Sequence, residues 1–266
     1  MIKKFLMLAL AIIYFCSFST IKSNEPNNHL IIRTPDRSLF WYYLENHVYD
    51  PENIAFSEIE NAFLQYDPDL VLVEGGNNVV SRNAEEAIRI GGESRFVAFL
   101  GFKTNKIVQD IEPPFEKQLE FLLSKNNAQS VYAMYLLRLL NSDKSRYLAG
   151  SREIVDIYQH CEEYLNHLDK VSGRTNKIDK QFVDLLTQAY AKTDFAHSRW
   201  YEIDYDSVLY DPDGALYVIR DEITNYRNLW LIRLIEEKRL QFRKIFIMMG
   251  SGHLMKVREK IIEMYR

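Results

Sequence analysis

The chain has 266 residues, 47% of them hydrophobic and 26% charged, which suits one large domain or two small ones with a packed core. A formal net charge of -4, without a basic stripe, excludes a general nucleic-acid binder. The two cysteines show no CxxC or Cys–His spacing, so any metal would be held by His and carboxylates.

Lys3 and Lys4 precede an apolar stretch over residues 5–18, followed by polar residues 19–28. A basic n-region, a short h-region and small residues beyond it predict a secretory signal peptide over 1–23, cut near Ser19 or Ser23. The apolar run is shorter than a transmembrane helix needs. The expected location is therefore periplasmic or secreted, with membrane contact only through an uncleaved signal. Cys161 would then be the one cysteine left, so export is inferred from the leader and not from disulfides. Residues 24–38 read as a polar loop containing His29.

Residues 39–44 are aromatic-rich and strand-like, and lead into Glu45-Asn-His47. Asp50-Pro51-Glu52 is a helix start, and Ala55, Ile59, Ala62, Phe63 and Tyr66 follow at helical spacing. Residues 70–73 (Leu-Val-Leu-Val) read as a buried strand ending on Glu74-Gly75-Gly76. This strand–helix–strand unit has the length of a crossover between parallel strands, which puts His47 and Glu74 at one sheet edge. Gly91-Gly92-Glu93 opens the next helix, through Phe96, Phe99 and Leu100. A third strand over 107–111 ends on Glu112-Pro-Pro114.

Helices follow over 115–123 and 130–140, then over 150–192 with a break at Ser172-Gly-Arg174. They predict a helical cap or insertion over about 115–200. His29, His160, His167 and His197 read as solvated, and Cys161 as a packing residue. After the turn Asp211-Pro-Asp-Gly214, a long amphipathic helix over 215–239 carries Leu216, Ile219, Ile223, Tyr226 and Trp230 on one face. Arg220, Thr224 and Arg227 lie on the adjacent stripe. The apolar run 245–249 reads as a strand buried on both faces and enters Gly250-Ser251-Gly252-His253. Glycines there permit a sharp turn and close approach of a ligand, while a helix over 254–265 aims its first N–H groups at the same spot. The aromatic residues are spread along the chain and read as packing.

The expected fold is α/β, with a mostly parallel sheet built from two strand–helix halves and a helical insertion between them. One domain spans 24–266. Ligands of such sheets bind at the carboxyl ends of the strands.

Four blocks carry a resemblance to a known family: Tyr42-Tyr-Leu-Glu-Asn-His47, Leu72-Val-Glu-Gly75, Gly92-Glu93 with Glu112-Pro-Pro114, and Ile219-Arg-Asp-Glu222 with Met249-Gly-Ser-Gly-His253. Together they span about residues 40–254. The chain resembles the TraB/TIKI/GumN, erythromycin esterase and ChaN superfamily. The resemblance implies a site at the strand ends of two parallel strand–helix halves. Members include metal-dependent proteases, metal-free esterases working through His and Glu, and a haem binder, so it names a site better than a reaction. Leu44 stands where the family's first His block begins with glycine.

The first expectation is a hydrolase of ester or amide bonds in a small-molecule or peptide substrate. Glu74 orients a histidine, and His47 or His253 takes a proton from the attacking water. Arg220 and the amides of Gly250, Ser251 and Gly252 stabilise the oxyanion, with Glu45, Glu112 and Asp221 in support. In a metal-dependent version, His47, His253 and Glu74 or Glu93 hold one divalent ion (Mn, Zn, Co or Fe). The alternative expectation is a haem- or iron-binding envelope protein using Tyr42, Tyr43 or His47, or an inactive member of the family.

Overall fold

The computed structural model describes residues 21–22, 28–75, 80–150, 153–192 and 199–266. The expected signal peptide apart from Ile21 and Lys22, and also Gly76 and His197, lie outside the described residues. The strands are β1 (His29–Arg33), β2 (Ser38–Tyr42), β3 (Leu70–Val73), β4 (Ile107–Asp110) and β5 (Lys244–Met248). The helices are α1 (Ile54–Tyr66), α2 (Ala84–Lys103), α3 (Phe115–Leu123), α4 (Ala128–Leu148), α5 (Ile157–Val171), α6 (Lys180–Ala191), α7 (Tyr205–Leu209), α8 (Ala215–Gln241) and α9 (Ser251–Met264).

The architecture is α/β, with a mixed but mostly parallel sheet of five main strands and a two-residue edge strand. The order is β1-β2-β5-β3-β4, with β1 antiparallel to β2 and every other pair parallel. Ile21 and Lys22 pair antiparallel with Ile32 and Ile31 on the outer edge. A cut near Ser19 keeps that pairing and a cut at Ser23 removes it. The loop expected over 24–38 holds β1 instead. His29-Leu30-Ile31-Ile32-Arg33 alternates partly buried and buried positions, as a strand with one face on the core does, and its polar flanks obscured it.

Strands β3 and β5 are buried on both faces, as their unbroken apolar runs require. Alternation sends Leu70, Leu72, Ile245 and Ile247 to one face and Val71, Val73, Phe246 and Met248 to the other. The first face packs on α9 and on the second half of α8, through Leu231, Leu234 and Ile235. The second is covered by α1 and α2, and much of the aromatic content is used there: Phe40 and Phe63 sit 5.2 and 5.3 Å from Phe246, ring to ring.

Helices α3 to α7 and the first half of α8 enclose a separate apolar cluster that includes Leu136, Leu140, Leu165, Leu168, Ile219 and Ile223. Cys161 is buried in it as a packing residue, and burial pushes its thiol pKa up. Helix α4 runs to Leu148, beyond the expected end at 140, and the break after α5 falls where Ser172-Gly-Arg174 predicts it. His160 is not solvated: its Nε2 lies 2.8 Å from the buried Asp143. His167 is exposed as expected, with one ring face on Phe115 at 5.7 Å, whereas His29 is partly buried and stacks on Phe40 at 5.0 Å. An imidazole has a flat apolar body behind its polar tip, so polar sequence neighbours do not reveal the partial burial of His29 and His160.

Helix α8 therefore belongs to two cores. Its face is Leu216, Ile219 and Ile223 as expected, but Tyr226 and Trp230 are only partly buried, and Arg227 and Asn228 take buried places at the handover. Among the described residues no helix is long and apolar enough to cross a membrane.

Candidate functional site

Tyr42, Met248, Val73 and Asp110 stand in register across the four parallel strands, so these strands end on one edge. The chain leaves that edge toward His47, Glu74, Glu112 and Gly250. Over it lies a cavity of about 1010 Å³, closed on the far side by α4 and the first half of α8. That is the size of a substrate pocket. Glu45, His47, Glu74, Arg220, Gly250 and His253 all line it, as the chain-order reading requires. Leu44 lines it too and packs against the cluster under α1 and α2.

His47 is held from below by Glu93, whose Oε1 accepts from Nδ1 at 2.6 Å. The other oxygen of Glu93 accepts from the Val48 amide at 3.4 Å. Gly92 makes this possible. Its φ of 61° and ψ of −148° break α2 and restart it at Glu93, and a Cβ there would lie 2.9 Å from the Val48 carbonyl. The helix expected to open at Glu93 is thus the second segment of a longer one that begins at Ala84, capped by Asn83. The hydrogen bond to Glu93 raises the His47 pKa against the opposing effect of burial. A carboxylate only accepts, so Nδ1 carries the hydrogen and Nε2 presents its lone pair, on a side chain 60% exposed.

Glu74 does not hold a histidine. Its Oε1 accepts from Arg227 at 2.5 Å and its Oε2 from the Gly250 amide at 3.4 Å. The same Arg227 nitrogen bonds Glu112. One guanidinium between two mostly buried carboxylates cannot satisfy both equally. Burial pushes the Glu74 carboxyl up, but Arg227 overrides it and holds the pKa at about 2. Glu112 is left raised, by burial and by the charge of Glu74.

His253 Nδ1 donates to Asn228 Oδ1 at 2.6 Å; an amide oxygen only accepts, so here too Nε2 is the free lone pair. Burial, helped by the charge of Arg227, lowers this histidine to about 4, and it is neutral at neutral pH. It stands in the first turn of α9, which starts at Ser251, three residues before the expected start. Gly250, at φ −56°, needs no glycine conformation, and a Cβ on Gly250 or Gly252 would meet only open space. The glycines leave room above the helix start and are not needed for the turn. Ser251 and Gly252 belong to that first turn but do not line the cavity.

Arg220 does not pair with Asp221, which is held by Lys256 at 2.7 Å at the surface. Its guanidinium stacks over Tyr210 at 4.1 Å and Tyr217 at 4.9 Å, facing the cavity. Asp221 is therefore remote from the chemistry, while Glu93 and Glu112 act from beneath the lining.

Of the four residues expected to hold a divalent ion, the two carboxylates are engaged, Glu93 by His47 and Glu74 by Arg227, while His47 and His253 are bonded through Nδ1 and keep Nε2 free. Among the described residues no three His, Cys, Asp or Glu side chains converge as a metal-holding group. Of the three residues expected to ligate haem, His47 lines the cavity, Tyr42 and Tyr43 do not, and the Tyr42 hydroxyl is directed to Glu58 at 3.4 Å; the tyrosines lining the cavity are Tyr49 and Tyr210.

One buried residue beneath the lining, Asn228, and one set of lining residues on α4 were missed from sequence. Asn228 extends the Arg220–Thr224 stripe by one more i+4 step, which is the signal that would have found it. Arg138, Asn141, Ser142, Ser145 and Arg146 recur at i, i+3, i+4, i+7 and i+8 on α4 and face the cavity as one polar stripe. Comparison with protein-family models, curated proteins and solved structures finds no match for the chain.

Proposed function

We propose that the chain is a hydrolase of ester or amide bonds, with His47 as general base and Glu93 as the group that orients it. The observation that carries this reading is the pair of imidazoles, each fixed through Nδ1 and each lining the same cavity at the strand ends. Water held between them gives its proton to His47 Nε2 as its oxygen attacks the carbonyl. The proton then passes to the leaving oxygen or nitrogen. Glu93 stabilises the imidazolium formed in between, as the acid of a triad does. His253, neutral, accepts a hydrogen bond from the same water and aims it. Arg220 faces the developing oxyanion, assisted by the positive start of α9.

The blocks that carry the superfamily resemblance supply the residues of this site, which favours membership. On that reading β1–β4 and β5 with α8 and α9 are the two strand–helix halves, and 115–200 is the insertion that roofs the site. Export by the leader places the activity in the periplasm or outside the cell. The carboxylates, taken up by Arg227 and His47, favour the metal-free mechanism.

The test is turnover of a panel of nitrophenyl esters and anilides by the purified chain, with His47→Ala and His253→Ala. Loss of turnover in both, with an unchanged circular dichroism spectrum, supports the proposal, and unchanged turnover removes it. Elemental analysis of the same preparation separates the mechanisms, since a stoichiometric metal lost in both variants selects the metal-dependent one. A Soret band on adding haemin would move the reading to the haem binder.

A further inference from the structure

The cavity lining carries five arginines and no lysine, against three carboxylates, Glu45, Glu74 and Asp206, in a protein whose net charge is −4. Arg227 is committed to Glu74 and Glu112. The other four stand in two groups around the histidines. Arg138 and Arg146 are two turns apart on the polar stripe of α4, with Asn141, Ser142 and Ser145 between them. Arg95 rises from α2 and Arg220 from α8, and the Nε atoms of both are buried without a hydrogen-bond partner among the described residues. Arg220 is braced over Tyr210 and Tyr217, and Arg146 sits 5.8 Å from the centre of the Tyr49 ring.

Partly buried guanidiniums normally take carboxylate partners from their own chain. Arg95, Arg138 and Arg220 form no ion pair with any described residue. Their planar forks are built to meet oxyanions in two-point contact. The placement is also informative: the charge of Arg146 is felt at His47 and that of Arg138 at His253. The cationic wall therefore faces the histidines across the space where the scissile bond would lie.

We infer that this wall binds an anionic group, phosphoryl or carboxylate, on the substrate, with Arg138 and Arg220 as its principal contacts and Arg95, Ser142 and Ser145 completing it. This rests on the hydrolase reading for the word substrate, but the binding site itself does not. Ser142 supplies a hydroxyl donor that a phosphoryl or carboxylate oxygen accepts from, while Ser145 turns its hydroxyl to the anion by giving up its bond to the Asn141 carbonyl, and Asn141 keeps one amide hydrogen beside the one it gives Asp206.

The test is isothermal titration calorimetry of the full chain with sodium pyrophosphate and with citrate, each at low and at physiological salt. Binding that weakens with salt, and falls about ten- to a hundredfold in Arg138→Gln and in Arg220→Gln, supports the site. Arg138→Lys, which keeps the charge and loses the fork, should retain part of the affinity, and circular dichroism shows whether each variant is folded. Tighter pyrophosphate binding assigns a phosphoryl group, and tighter citrate binding a carboxylate. No heat with either anion, or affinity in both Gln variants unchanged from that of the parent chain, overturns the inference. Anion binding by a protein that turns over no ester keeps this site and removes the hydrolase. Turnover of neutral esters without anion binding does the reverse.

Discussion

The floor and the roof of the cavity are built by different rules. The floor is a row of strand ends, fixed by backbone pairing: Tyr42, Met248, Val73 and Asp110 are tied to one another through main-chain atoms, and whatever follows them in sequence arrives at the same edge. The roof is made by helices that pack on their own apolar cluster and offer one polar stripe downward. Placement on the floor follows from sequence adjacency, and placement on the roof from a helical face. A floor can therefore be found by looking just past each strand, whereas a roof requires knowing which way a helix is turned.

That difference makes predictions. The floor and roof meet at Arg227, between two carboxylates, so Arg227→Met should destabilise the fold most, by about 3–5 kcal/mol in urea unfolding, because Glu74 and Glu112 are left facing each other. Arg138→Met on the roof should stay within about 0.5 kcal/mol in the same assay. A loss at Arg138 as large as at Arg227 would break the distinction. On the floor, Glu93→Gln should lower kcat about 10- to 100-fold with little change in stability, because the His47 imidazole loses the carboxylate that orients it and raises its basicity.

Gly92→Ala should cost about 1–3 kcal/mol, since its backbone region is open only to glycine and the Val48 carbonyl blocks a methyl group. Proton binding gives a smaller, graded effect. His253 is held at about 4 against 6.5 in the unfolded chain, so stability present above pH 6.5 should be lost as pH falls toward 4. Glu74, depressed to about 2, adds a second loss below 4.5. Urea midpoints taken from pH 7 to 3 measure both, and His253→Gln should remove the first step alone. His47 is raised, so its contribution runs the other way, present below 6.5 and lost as pH rises through its folded value. Its base form is the active one, so kcat/KM should climb over that same range, and Glu93→Gln should move the climb to lower pH. Smallest of all, Gly252→Ala should stabilise by about 0.4–1 kcal/mol, because the position is helical and open. A fall in turnover in that stabilised variant would show that substrate uses the space.

The sheet could be read from the chain because its strands are short apolar runs, and a residue standing directly after such a run has one place to go. His47, Glu74 and His253 were found in that way. What the chain did not reveal was pairing. Glu74 and Glu93 look alike from sequence, each an acid beside glycine, and only the break at Gly92 turns one of them under His47 while Arg227 claims the other. Strand β1 was hidden by polar flanks, and the α4 stripe by the apolar residues of the same helix, Val131 to Leu137, which dominate any reading of its burial. Arg227 was seen on its stripe, but the choice between it and Arg220 depends on where α8 passes from one core to the other.

That passage has a further consequence. Helix α8 runs 27 residues without interruption, its first half inside the helical cluster and its second half against the sheet. Two cores that share a continuous rod are not free to melt separately, because loosening either one withdraws Arg227 and Asn228 from their partners in the other. The protein should therefore lose its structure in one transition, with amide protons at the middle of α8 exchanging only when the whole molecule opens.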